Sequence, residues 1–187
     1  MVEEKTDSLR EHIIETADEL YYGRGIQTVG MDALRDAAGV SLKRLYGLFP
    51  SKESIVLAVL EHRDRSWVNG LEGTVNAVDS PRERLLAIYD YLADWFEGDL
   101  FRGCGFINAF GELGAVSPAV AEAARKHKAN FQRYVASLVK DAGGPPELAP
   151  QLAILAEGAQ TTAAISGSSD AAGQARRAAE ILIDSAA

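Results

Sequence analysis

Leu9, Ile13, Ile14, Ala17, Leu20 and Tyr21 recur at helical spacing, which predicts a first helix over about residues 8–22, ended by Gly23-Arg24-Gly25. Two short helices follow, 31–38 and one starting at Ser41, joined by a tight Gly39-Val40 turn. Thr28 or Gly30 can cap the second helix, and Ser41 can cap the third, which stops at Phe49-Pro50. Ser51, with Ser54 one turn later, opens a fourth helix, with Ile55, Val56, Val59, Leu60 and Trp67 on one side, running to about 67–69. Residues 70–80 read as a loop. Pro81 suits the first turn of a fifth helix striped by Leu85, Ile88, Tyr89, Leu92 and Phe96.

A glycine-flanked break at 102–105 precedes a short sixth helix, 106–113, and Ser117-Pro118 starts a long seventh reaching about residue 141. Gly143-Gly144-Pro145-Pro146 stops it, and alanine-rich helices over about 147–165 and 170–185 close the chain. No sustained alternation or hairpin turn signals a strand. The fold class is therefore all-α, with about nine helices. The first three are too small to bury their apolar face alone, so helix four is expected to continue into the larger helical body. The division expected is a helix-turn-helix domain over 1–50 and a ligand-binding and dimerisation domain over 51–187.

Composition changes this picture little. Of 187 residues, 47% are apolar and 25% charged, as in ordinary folded proteins. No run of about 18 apolar residues reads as a membrane span, and the polar, acidic N-terminus does not read as a secretory signal. The single cysteine, Cys104, cannot form an internal disulfide and fits a reducing cytoplasm. A cytoplasmic location with no membrane partner is expected.

The net charge of −8 speaks at first against DNA, because neutralising phosphates supplies much of the affinity. Its distribution matters more. Residues 1–30 carry Lys5, Arg10 and Arg24 against seven acidic residues, whereas 31–52 carry Arg35, Lys43, Arg44 and Lys52 against Asp32 and Asp36. The small positive patch thus coincides with the helix-turn-helix. A helix that follows a sharp corner and presents polar residues on its first turn suits the DNA major groove.

The run from Ile14 to Leu60 resembles the N-terminal domain of TetR-type (tetracycline-repressor-like) transcriptional regulators. The matching elements are Thr16-Ala17, Gly25, Ala38-Gly39-Val40-Ser41, Leu45-Tyr46, Phe49 and Ser51-Lys52-Glu53. The resemblance implies a DNA-binding regulator, commonly a repressor, that binds palindromic operator DNA as a homodimer and is released by a small hydrophobic effector. Arg44, then Lys43, are the base-reading candidates, since an arginine fork grips guanine in two places. Ser41, Tyr46, Lys52 and Thr28 are candidate phosphate contacts, and Leu45 and Phe49 should face the core. Arg35 departs from the usual small residue four positions before the turn glycine, so its stem must snorkel past helix three.

The resemblance also implies an effector pocket among helices four to seven. Trp67, Tyr89, Phe96, Phe106, Phe110 and Phe131 could supply its aromatic lining, with Asn108, Glu112 and His127 as polar groups. Cys104, Asn108 and Glu112 are spaced four apart and should share a face of helix six. The family pairs its last two helices, here about 147–185, with those of a second subunit, and small residues such as Ala153, Ala156, Ala159 and Ala163 would permit close approach. No cofactor is implied, and His12, His62 and His127 lack metal-ligand spacing. An enzyme is not expected, because there is no nucleophile–base pair, phosphate-binding glycine loop or metal cluster. The alternative is a helical small-molecule-binding protein or adaptor without DNA affinity.

Overall fold

A computed structural model describes residues 2–186, with side chains from residue 6. Among the described residues there are nine α-helices and no strand: α1 (Val2–Arg24), α2 (Met31–Ala37), α3 (Leu42–Leu48), α4 (Lys52–Asn76), α5 (Pro81–Phe96), α6 (Gly105–Leu113), α7 (Pro118–Asp141), α8 (Leu148–Ser166) and α9 (Asp170–Ser185). None is long and apolar enough to cross a membrane. The all-α expectation holds, with most boundaries within a residue or two, although α1 starts six residues before the expected position. The larger difference is α4, which continues through Gly70 and Gly73 to Asn76. Leu71 and Val75, both buried, extend its apolar stripe at four-residue spacing. That burial outweighs the roughly 1 kcal/mol helix penalty of each glycine. Gly70 also faces Tyr91, where an added Cβ would come within 2.9 Å of a ring carbon and of the hydroxyl oxygen.

The chain forms two compact units, one of residues 1–65 with 105–124 and one of 66–104 with 125–187. In the first, Ile13, Ile14, Ala17, Leu34, Leu45, Phe49, Ile55 and Val56 are all buried. Their helices start where the side chains say they should. The Ser41 hydroxyl accepts the Arg44 N–H at 3.2 Å. Ser51 and Ser54 accept each other's backbone N–H, at 3.1 and 3.2 Å, which satisfies two otherwise orphaned donors at the start of α4. Gly39, at φ +65°, takes the left-handed turn between α2 and α3. Polar contacts join α1 to α4: His62 with Glu11 at 2.9 Å, and Arg63 with Asp18.

In the second unit α5 packs against α8 and α9, which pack against each other. Leu85, Ile88, Tyr89 and Leu92 meet Phe131, Val135, Leu152 and Ile183 in one apolar core. The alanines of α8 serve this core. Ala153, Ala156, Ala159 and Ala163 are all at most 5% exposed, so their smallness lets helices of the same protomer close together and they do not face outward. The apolar residues that α8 and α9 do expose are Ile154, Ile165 and Ile181.

Candidate functional site

Helix α3 sorts its seven residues by side. Leu45 is fully buried and Leu42 and Leu48 partly so, which anchors one face, and Phe49 closes the end at 1% exposure. Lys43, Arg44, Tyr46 and Gly47 are left on the opposite face, all exposed, with Tyr46 at 48%. Spacings of one, three and four residues put these groups side by side on a helix. Ser41 is also exposed and sits at their N-terminal end. Four of the six expected DNA contacts are thus gathered on one surface.

Arg35 does not disturb this surface. Its guanidinium turns back onto its own helix, 3.0 Å from Asp32 and 3.4 Å from Asp36. The stem therefore need not be forced under α3, and the corner closes with an atypical residue at the position.

Thr28 and Lys52 are placed differently: Thr28 lies in the loop between α1 and α2, and Lys52, the first residue of α4, reaches that loop with its side chain. The Thr28 hydroxyl donates to the carbonyl of Arg24 at 2.7 Å and lies 3.0 Å from that of Gly25, so it finishes α1, while Gly30 caps α2. Lys52 Nζ donates to the Ile26 carbonyl at 2.5 Å and lies 5.7 Å from the Tyr21 ring centroid. Burial lowers the Lys52 pKa, and the nearby Glu112 carboxylate opposes that shift.

Glu112 itself, a candidate effector contact, has its carboxylate on this loop. It accepts the backbone N–H of Ile26 at 3.0 Å and of Gln27 at 2.8 Å. Gln27, which sequence reasoning missed, returns the contact by donating its side-chain amide to the Glu112 carbonyl at 2.6 Å. No sequence pattern announces a pairing across 85 residues. The expectation that Cys104, Asn108 and Glu112 share a face of one helix is corrected. Gly103, at φ +82°, breaks the chain, α6 starts at Gly105, and Cys104 is buried while Asn108 is exposed. Cys104 Sγ lies 3.6 Å from Lys128 Nζ, a basic neighbour that its sequence surroundings did not disclose.

The remaining pocket candidates fall into separate groups. In the second unit Trp67 is packed edge-on against His127 and Phe131, each at 5.3 Å between ring centroids, with Tyr91 at 6.2 Å. His127 is buried. Phe96 belongs to another cluster, with Trp95 and Phe101. Tyr89 is buried and donates its hydroxyl to the Leu152 carbonyl, which makes it part of the core. In the first unit Phe106 is buried and Phe110 is 49% exposed.

Residues 13–59 match the model of bacterial regulatory proteins of the tetR family, and residues 81–179 match the tetracyclin repressor-like C-terminal domain. The chain belongs to the TetR family. Regulators of this family are DNA-binding transcription factors, not enzymes; they bind operator DNA and dimerise. The transcriptional activator FasR of Mycolicibacterium smegmatis is 34% identical over 93 residues, which are 50% of this chain and 42% of FasR. The chain thus matches less than half the length of that relative. A TetR transcriptional regulator structure from Streptomyces avermitilis is 29% identical, covers 95% of this chain and 97% of its own, and has a TM-score of 0.84. A TetR-family regulator from Streptomyces coelicolor, at 23% identity and 96% coverage of both chains, shares the fold with a TM-score of 0.89. The TetR fold and its N-terminal helix-turn-helix are therefore common to this chain and to solved regulators.

Proposed function

We propose that this protein is a ligand-responsive transcriptional regulator that binds a palindromic operator as a homodimer and is released by a small hydrophobic effector. Residues 1–50 are the DNA-binding domain in this reading, and 51–187 bind the effector and the second subunit. The observation that carries it is the outward face of α3, where Lys43, Arg44 and Tyr46 stand exposed on a helix fixed from behind by Leu45 and Phe49. Arg44 and Lys43 read base edges, and Ser41, Tyr46 and Lys52 hold phosphates. Thr28 has its hydroxyl proton on the end of α1 and contributes at most an acceptor there.

The effector site proposed centres on Trp67, His127 and Phe131, an apolar group with one buried polar ring. The second subunit meets α8 and α9 on the side that exposes Ile154, Ile165 and Ile181. Two heads related by a two-fold axis then address half-sites about one DNA turn apart.

Repression is the sign proposed, in keeping with the repressor-like C-terminal family over 81–179; FasR, an activator, supplies the opposing outcome. The test is a gel shift on the DNA upstream of the protein's own gene, followed by a promoter fusion. Wild type should give a salt-sensitive complex that Lys43→Ala with Arg44→Ala abolishes, and deletion of the gene should raise promoter output. A fall in output on deletion would make the protein an activator. Absence of binding to any neighbouring promoter would leave only a helical small-molecule-binding or adaptor role.

A further inference from the structure

The loop between α1 and α2 is held by two opposite charges from distant parts of the sequence. The Ile26–Gln27 peptide has its carbonyl on the Lys52 ammonium, at the first residue of α4, and its N–H on the Glu112 carboxylate of α6. The other Glu112 oxygen takes the preceding N–H, that of Ile26. Charged partners make these among the stronger hydrogen bonds available to a backbone. Gly25, at φ +87°, brings the loop around so that both N–H groups point at the carboxylate.

Resting on the DNA-binding reading above, we propose that Glu112 is a positioning residue for operator recognition. Its carboxylate and the Lys52 ammonium clamp the Ile26–Gln27 peptide, which fixes the loop leading into α2 and the direction in which Lys52 meets a phosphate. An ammonium has three N–H donors. One is spent on the Ile26 carbonyl, and two remain for DNA. A lysine held in place by a carbonyl and an opposing charge is ordered before DNA arrives, so less side-chain freedom is lost on binding.

The sign of the effect separates positioning from a bystander charge. A carboxylate near a DNA-binding face repels phosphates, so removing a bystander carboxylate should tighten binding. Removing a positioning carboxylate should weaken it.

The experiment uses the full chain and a duplex enriched by the wild-type protein from a random-sequence library. Binding of wild type, Glu112→Gln, Lys52→Met and the double variant is measured across salt concentration, and amide exchange at Ile26 and Gln27 is followed in the free proteins. Glu112→Gln keeps the side-chain shape but turns an amide donor toward a backbone donor. It should raise Kd about tenfold, speed exchange at both amides, and reduce the salt slope by about one phosphate contact. Lys52→Met should do the same to the slope and add little in the Glu112→Gln background. If Glu112→Gln loses helical content, Lys52→Met, which leaves α6 intact, must by itself lower the slope and speed exchange at Gln27. Equal or tighter binding by Glu112→Gln, an unchanged slope, or additive losses would overturn the inference while leaving operator binding intact. Failure of the wild type to enrich any duplex would overturn the operator-binding reading itself, and this one with it.

Discussion

The Tyr89 hydroxyl donates to the Leu152 carbonyl at 2.8 Å and ties α5 to α8 inside the core of the second unit. Leu152 lies within α8 and Tyr89 is 1% exposed, so neither group has an alternative partner in water. Tyr89→Phe removes the donor and leaves the ring's apolar packing in place. The expected cost is about 1–2 kcal/mol, because the carbonyl loses a partner in a dry setting. Urea denaturation should show a lower midpoint with an unchanged slope. A midpoint equal to that of wild type would mean that the contact adds nothing to stability.

The helices were legible because their signals are local. Ser41 and Ser51 are followed by apolar periodicity and each accepts a backbone N–H three residues on. The outward placement of Lys43, Arg44 and Tyr46 follows from the same periodicity once Leu45 is inside. The continuation of α4 was hidden because Gly70 and Gly73 are loop signals by themselves, and only the burial of Leu71 and Val75 outweighs them. Glu112 was expected as an effector contact and Lys52 as a phosphate contact, and their shared partner, the Ile26–Gln27 peptide, was not foreseen. Backbone atoms carry no sequence identity, so a side chain that binds them leaves no pattern to read. The alanines of α8 were ambiguous for another reason. Small residues permit close approach to any helix, and here α5 and α9 take that place within the same chain.

Tyr21 gives a pH prediction. It is 5% exposed, its hydroxyl has no hydrogen-bond partner among the described residues, and burial pushes its pKa up to about 12 from the ordinary 10.0. The folded state holds this proton more tightly than the unfolded one. The contribution is therefore fully present below pH 10 and is lost as pH rises toward 12. By about pH 11 the loss should be on the order of 1 kcal/mol. Tyr21→Phe should flatten that alkaline decline and, since the hydroxyl is unsatisfied, should not destabilise the protein at pH 7 by more than a few tenths of a kcal/mol. Chemical denaturation from pH 8 to 11 checks both statements; parallel declines for the two proteins would refute the assignment to Tyr21.

Lys43 and Arg44 should separate in kind on the operator. Arg44→Ala should lose about 1–3 kcal/mol at the base it reads and relax preference there, with little loss on unrelated DNA. Tyr46→Phe should weaken specific and non-specific duplexes alike, because a phosphate contact carries no sequence information. Binding to a set of single-base operator variants distinguishes the two patterns. Uniform loss for Arg44→Ala would reassign it to the backbone.

Trp67 should report the effector. Its indole is edge-on to His127 and Phe131, so a small apolar molecule entering this cluster must change the polarity around the ring. Titration with a panel of hydrophobic compounds should shift the fluorescence of a Trp95→Phe variant, which keeps Trp67 as the sole tryptophan. A compound that also lowers operator affinity must bind the non-DNA-binding conformation more tightly, by the ratio of the two affinities. Compounds that release DNA without altering Trp67 emission would place the effector elsewhere.

Ile154 and Ile165 stand eleven residues apart on α8, about three helical turns, and therefore on one side of it. They are 68% and 82% exposed, and Gly158 and Thr161 lie between them on the same side, also exposed. A stripe with large residues at its ends and small ones in the middle is suited to a crossing helix. The alanines on the opposite side are already buried in the protomer's own core, so this stripe and Ile181 of α9 are the large apolar residues that α8 and α9 leave exposed for a second copy. Ile154→Glu with Ile165→Glu puts charges into this apolar stripe, and a two-fold contact buries both of them twice over against the partner's surface. Sedimentation equilibrium should find wild type as a dimer and the double variant as a folded monomer, with unchanged helical content. Operator affinity should fall at least a hundredfold, since one head loses the effective concentration supplied by the other. A double variant that stays dimeric would move the interface off this side of α8.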